Sequence, residues 1–354
     1  MPVYHRSAAR TVEYSYNDFC VAQVALGLNR TDDYHKYMSR SGNWLNLWNN
    51  KTKSFGVRGF VIPRSAKSKT FLIDHWADPT VCSPINFQGD KCFYWYDEFY
   101  EASSWTYSFF TPQNVAKLVS LNGGPEGFIH RLDVYFANRL FDPGNEPAFL
   151  VPFMYNYVGR PDRTAEVTRD IISKNYNSTQ KGLPGNDDAG AMASWYIFTT
   201  LGFFPVAGQD LYLISPPHFE FSTLSLDPKN LMRTFTIKAY DLTPTSYIQS
   251  ARLNGQVLKR NWFRHTEIMN GGVLELWMDE RKSEWGTEPE AWPPSYEPKF
   301  KGPSDIVDSS DIADSSDIAD SSDIADSSDI ADSRDSSDSR DIADSIEELE
   351  KSEE

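Results

Sequence analysis

The chain has 354 residues, of which 40% are hydrophobic and 14% aromatic, enough apolar material for a sizeable core and two domains. Its formal net charge of −16 lies wholly in residues 304–354, which hold 14 Asp and 5 Glu against 3 Lys or Arg. The remaining residues balance at 31 acidic and 31 basic groups, so they offer no basic excess for nucleic-acid phosphates.

Three cysteines, Cys20, Cys82 and Cys92, are too few for a disulfide framework, although Cys82 and Cys92 are close enough to bridge. Sequons at Asn29, Asn50 and Asn177 lean towards secretion, with a cytosolic location as the alternative. No run reaches the ~18 apolar residues that span a bilayer, and residues 1–20 lack the apolar core of a signal peptide.

In chain order, Val12–Leu28 carries apolar residues on one face, and Asp32–Arg40 reads as a short helix. Lys51–Asp97, rich in Gly, Pro, Ser and aromatics, reads as irregular. A helix over Thr111–Leu121 takes Thr111 as N-cap and Pro112 as its first residue. Helices over Pro125–Leu140 and Pro147–Tyr157 follow, with Pro152 in the first turn of the second or kinking it. Arg163–Asn175 and Gly190–Leu201 complete the series, the last stopping at Gly202.

From about Leu211 the period becomes two. Arg233–Ala239 alternates, Tyr247–Leu253 meets Gln256–Leu258 across Asn254-Gly255, and Val273–Met278 adds a further strand. The expected organisation is a helical region over 1–205, a small antiparallel β-sandwich-like module over 206–297 and a disordered tail over 298–354. The tail repeats Ser-Ser-Asp-Ile-Ala-Asp, and one isolated Ile per repeat cannot build a core among so many carboxylates.

Antiparallel helix pairs return the chain to the end from which it set out. Glu101 precedes the pair 111–121 and 125–140, Gly144-Asn145-Glu146-Pro147 follows it, and Gly185-Asn186-Asp187-Asp188 follows the next pair. All three loops are therefore expected on one rim. Carboxylates converging there suit glycoside hydrolysis, in which one acid protonates the leaving oxygen and another carboxylate activates water or attacks carbon. Hard cations such as calcium favour the same oxygen-rich loops. Each residue also has a structural reading. Asp187 or Asp188 could cap the next helix, Glu101 could form a salt bridge, and Asn145 and Glu146 could shape a turn. Trp105 and Trp195 could be core.

Gly182-Leu183-Pro184-Gly185-Asn186-Asp187-Asp188-Ala189-Gly190, continuing through Trp195-Tyr196 and Leu201-Gly202-Phe203-Phe204-Pro205, resembles the signature of glycoside hydrolase family 92. Gly144-Asn145-Glu146-Pro147 with Tyr155–Pro161, and Tyr100-Glu101-Ala102-Ser103-Ser104-Trp105, resemble two further blocks of that family. Glu13-Tyr14 and Arg40–Trp48 resemble upstream blocks in the right order, so the likeness spans roughly residues 10–280. The resemblance implies part of an (α/α)6 barrel joined to β-sandwich modules, and calcium-assisted, inverting removal of α-linked mannose from glycoprotein glycans or mannans. It implies Glu101 as general acid and Asp188 as general base; Asp187 is a nearby carboxylate whose role stays open, as a supporting acid or a cap. Asn145 and Glu146 would hold calcium, and Trp105, Trp195 and Asn186 would line the sugar pocket. Two departures stand out: Ala102 where relatives commonly have Gly, and Pro112-Gln113-Asn114 where many have Pro-His-Asp. The chain aligns with only the later part of the family's barrel. A carbohydrate-binding remnant without activity, or a relative acting as a glycoprotein-deglycosylating amidase, are the alternatives.

Overall fold

A computed structural model describes residues 6–76, 82–83, 86–87, 98–229 and 232–296. All the described residues belong to one compact unit, within 1–303. The acidic repeat tail expected from residue 298 lies outside the described residues, as does Cys92 of the candidate cysteine pair.

Helix α1 (Ser7–Gly27) begins ahead of Val12 because its first turn is capped from a distance. Arg6, at φ 44°, supplies no side-chain cap. Glu98 does so instead: its carboxylate accepts from the Ser7 amide (3.0 Å) and hydroxyl, and its carbonyl from Ala8 (3.0 Å) and Ala9 (3.1 Å). A carboxylate there also meets the positive end of the helix dipole. Helix α2 (Thr31–Arg40) folds back on α1, with Arg40 on Asp18 at 2.9 Å and Met38 packed near Phe19 and Ala22.

The stretch expected to be irregular instead starts with a hairpin, β1 (Trp48–Ser54) and β2 (Val57–Val61), turning at Phe55 and Gly56 with φ of 47° and 77°. Lys51, Thr52 and Lys53 hide the strand in sequence, while Trp48, Phe60 and Val61 anchor it in the core. Two-residue strands β3 (Cys82–Ser83) and β4 (Asn86–Phe87) pair farther on.

Helix α3 (Ser104–Tyr107) is capped by the Ser103 hydroxyl, and α4 (Val115–Leu121) starts after Asn114 rather than at Thr111. Thr111 and Pro112 open a turn closed by Asn114 N–H on the Thr111 carbonyl (2.9 Å), which sets the helix back. Helix α5 (Pro125–Ala137) stops short of Leu140 because Arg139 turns left-handed at φ 54°. The stretch expected as a helix at 147–157 winds as two 3-10 segments, Glu146–Ala148 and Val151–Val158, each with a proline in its first turn. Pro152 cannot donate back to the preceding turn, so a continuous α-helix is interrupted there. Helix α6 (Pro161–Asn175) and α7 (Ala191–Leu201) form as expected, α7 ending on Gly202 at φ 92°.

The strands that follow are β5 (Phe203–Pro205), β6 (Leu211–Ile214), β7 (Phe221–Ser225), β8 (Thr234–Tyr240), β9 (Tyr247–Leu253), β10 (Gln256–Leu258), β11 (Trp262–Arg264) and β12 (Gly272–Asp279). They form one sheet ordered β10-β9-β12-β8-β7 and another ordered β11-β6-β5. Pairing is antiparallel except for β12 on β8, which is parallel. Asn254 and Gly255, both at positive φ, turn the expected hairpin.

The smaller sheet is a shared wall. Phe204, Leu211 and Leu213 belong to the helical core, whereas Phe203, Ile214 and Phe263 join the inner face of the larger sheet. Period-two alternation thus lets one sheet close two cores at once. The result is a partial helical barrel joined to a β module.

Inside the helical core Arg131 is fully buried, with Phe60, Trp105, Phe109 and Trp48 around its guanidinium at 4.4–5.4 Å. It donates to the Gly59 carbonyl (2.6 Å) and to Asn122 Oδ1 (3.1 Å), tying α5 to the hairpin. Burial lowers its pKa to about 9. Replacing Glu98 by Ala should remove the remote cap of α1 and cost about 1–2 kcal/mol in urea unfolding. A variant as stable as the parent would contradict the capping role.

Candidate active site

The three acidic loops meet. Gly144 and Gly185 approach backbone to backbone: a Cβ on Gly144 would stand 3.0 Å from Gly185 Cα, and one on Gly185 would stand 2.6 Å from the Gly144 carbonyl oxygen. Only glycine permits that contact, and Gly185 also sits at φ +64°. The Asn145 amide then donates to the Glu101 carbonyl, joining the second loop to the first.

The segment carrying Glu101 is held from several sides. Glu98 anchors it to α1, and the Tyr107 hydroxyl lies 2.8 Å from the Tyr100 carbonyl and 2.6 Å from the Glu13 carboxylate. The Arg6 guanidinium lies over the Tyr100 ring at 3.7 Å. Glu101 itself adopts φ 62° and Ala189, next to Asp188, φ 57°. Left-handed backbone at two non-glycine residues flanking one site is the kind of strain that surrounding structure must hold in place.

The placements of the expected site residues divide into two groups. Glu101 is half-buried, and the Tyr100 phenol donates to its carboxylate, which together with burial raises the phenol's pKa while Arg6 opposes it. Glu101 enters no ion pair among the described residues. Asp188 and Asn186 are exposed on their loop, Glu146 is half-buried and Asn145 is buried.

Asp187 takes up its capping reading: its carboxylate accepts from Ala193 N–H (2.9 Å) and its carbonyl from Ala191 N–H (2.7 Å). The two tryptophans need correction. Trp105 is fully buried, lying 4.8 Å from Phe60 and stacked on Tyr135 at 6.0 Å, with its indole N–H on Ser54. Trp195 is 2% exposed, stacked on Tyr176 at 5.7 Å, with its indole N–H on the Phe149 carbonyl. Both rings are core material and leave no face for a sugar.

Electrostatics ties the loops into one site. Burial raises the pKa of Glu146, and the charges of Asp188, Glu101 and Asp142, in that order, raise it further. Charges on the first and third loops therefore reach Glu146 on the second. Asp142, missed in the sequence because Asp before Pro-Gly reads as a turn, is itself raised by burial, with the Gly144 N–H opposing. Its Oδ2 is buried without a hydrogen-bond partner.

The Glycosyl hydrolase family 92 catalytic domain matches residues 1–280 of the chain. The chain belongs to glycoside hydrolase family 92. An uncharacterized secreted glycosidase of Arthroderma benhamiae is 39% identical over 305 residues, covering 82% of this chain and 38% of that protein. Among solved structures, a family 92 α-mannosidase of Bacteroides thetaiotaomicron in complex with mannoimidazole superposes with a TM-score of 0.72 at 26% identity. The match covers 82% of this chain and 38% of that one. A family 92 inverting mannosidase of the same bacterium gives 0.67 at 29% identity, with 82% and 40% covered. The chain thus spans about two-fifths of the length of these relatives.

Within family 92 the departures acquire a structural context. Ala102 is buried beside the left-handed Glu101, and Asn114 is 1% exposed with both amide atoms lacking partners. Among the described residues no helix is long and apolar enough to cross a membrane.

Two outcomes are expected. Gly144→Ala should drive the second and third loops apart and cost about 1–3 kcal/mol, read in urea melts. Asp142→Asn tests the buried carboxyl. A raised native pKa means the fold keeps a proton that the unfolded chain has lost, so stability falls as pH rises from the unfolded towards the native value. In chelator, the Asn variant should therefore gain on the parent in melting temperature as pH rises above the ordinary carboxylate range. A difference independent of pH would contradict an unpaired carboxylate there.

Proposed function

We propose that the chain carries the acid/base machinery of an inverting exo-α-mannosidase acting on α-1,2-linked mannose of glycoproteins or mannans. The observation that carries this reading is the convergence of Glu101, Glu146 and Asp188 from three loops, in a member of a family whose solved relatives include α-mannosidases. Glu101 is the general acid, giving its proton to the leaving glycosidic oxygen. Asp188, solvent-exposed, is the general base that takes a proton from the attacking water on the opposite face of the sugar. Tyr100 holds the Glu101 carboxylate by hydrogen bond, and Asn145 holds its backbone. Asn186, exposed two residues from Asp188, would meet a sugar hydroxyl.

Among the described residues no three or more His, Cys, Asp or Glu side chains group as a metal cage, so a calcium ion would find only part of its shell here. Glu146 brings a carboxylate and Asn145 an amide oxygen, and among the described residues no Lys or Arg pairs with Glu146, Asp142 or Asp188. That uncompensated negative field suits a hard dication. Two side chains are fewer than the roughly six to eight oxygens calcium takes, so sugar hydroxyls, water or further chain complete the shell. When bound, the ion would grip neighbouring sugar hydroxyls and neutralise the acids around it. The sequons and the secreted relative support a secreted location.

A second reading is carbohydrate binding without turnover on the same loops, joined by the Asn145 contact to the Glu101 carbonyl. One experiment separates the two. Incubated with α-1,2-mannobiose, the enzyme should release mannose, lose that activity in chelator and recover it with calcium. Glu101→Gln and Asp188→Asn should each lower kcat by about 10²–10⁴-fold with the fold retained. Mannobiose binding by calorimetry without release would favour the binding portion, and full activity in either variant would remove that residue from the mechanism.

A further inference from the structure

Away from the acidic loops, α6 and the turns leading into β7 and β9 enclose a second cleft of about 450 Å³. That volume lies within the range of roughly 300–1,000 Å³ typical of small-ligand sites. Its polar lining comes from Arg169 and Ser173 on α6, His218 and Glu220 before β7, and Thr243 before β9.

Arg169 is the unusual member. Its guanidinium donates to the Ser246 carbonyl and lies 5.8 Å from the Tyr247 ring, but forms no ion pair among the described residues. Glu166, one helical turn away, is already taken by Arg163 (2.5 Å), Lys282 (2.6 Å) and the Tyr247 hydroxyl (3.0 Å). Guanidinium stays charged in proteins, so desolvating it without a carboxylate is costly and an arriving anion relieves that cost. Burial indeed lowers the Arg169 pKa, and His218 is held below its ordinary value by burial and then by the Arg169 charge.

We infer that this cleft binds a small molecule through an oxyanion group, a carboxylate or a phosphate monoester, received by the Arg169 guanidinium, with the neutral His218 imidazole as a second polar contact. Arg is suited to this because its planar fork matches either oxyanion with two parallel hydrogen bonds. Ser173 and Thr243 line the same space with hydroxyls, and Ile172 and Leu242 add apolar wall. Glu220 is the carboxylate on the lining. It disfavours a highly charged anion and supplies a control of opposite sign.

The test uses the full chain, titrated by calorimetry with inorganic phosphate and separately with acetate at constant ionic strength. Saturable binding of one or both is expected, and the anion that binds identifies the source. Arg169→Gln should weaken it by about tenfold or more, and Glu220→Gln should tighten it. Because Arg169 also holds the Ser246 carbonyl, Arg169→Lys, which keeps the charge but loses the fork, serves as the second variant and should bind more weakly than the parent. Absence of saturable binding of either anion would overturn the inference. So would parental affinity in the Arg169 variants, or weaker binding in Glu220→Gln.

Discussion

The candidate active site depends on one close contact between two glycines. Gly144 and Gly185 bring two loops together at a distance that no side chain tolerates, and Asn145, next to the first glycine, reaches the Glu101 carbonyl. Remove that approach and three carboxylate-bearing segments lose their common frame. The rest of the helical region serves it. Glu98 fastens the first segment to α1, Asp187 fastens the third to α7, and the 3-10 path of 146–158 gives the second a fixed exit.

Burying acids without cations has an electrostatic cost, visible in the raised pKa values of Glu146 and Asp142: burial leads in both, and neighbouring carboxylate charges add to it at Glu146. Structural carboxylates elsewhere in the molecule look different. Asp162 and Glu166 lie among Arg160, Arg163 and Lys282, whose hydrogen bonds and charges outweigh burial and hold them below the ordinary range. The contrast separates ion pairs that brace α6 against the β module from acids left unpaired at the loops. Unpaired, mutually interacting carboxylates on strained loops are the mark of chemistry or of cation binding.

Much of this was legible in the sequence, for physical reasons. Counting helix reversals placed Glu101, Glu146 and Asp188 on one rim, and the Gly202 stop and the Asn254-Gly255 turn were set by local backbone demands. What escaped was set by distant partners. The α1 cap comes from Glu98, 91 positions away, and no local pattern announces it. The hairpin at 48–61 hides because its exposed face is Lys and Thr, and Asp142 hides inside an ordinary turn motif. Trp105 and Trp195 were misplaced because aromatic residues near acidic loops fit a sugar platform or a core equally well by composition. Only their packing on Phe60, Tyr135 and Tyr176 decides between the two.

As proposed, Glu101 and Asp188 would face one glycosidic bond with room for a water between them. A crystal structure of this chain with calcium and mannoimidazole would measure the separation of the Glu101 and Asp188 carboxyl groups. The account predicts ~6.5–9.5 Å, both facing the bound sugar ring. Carboxyl groups ~5 Å apart, as in a retaining enzyme, or turned towards different cavities, would contradict it.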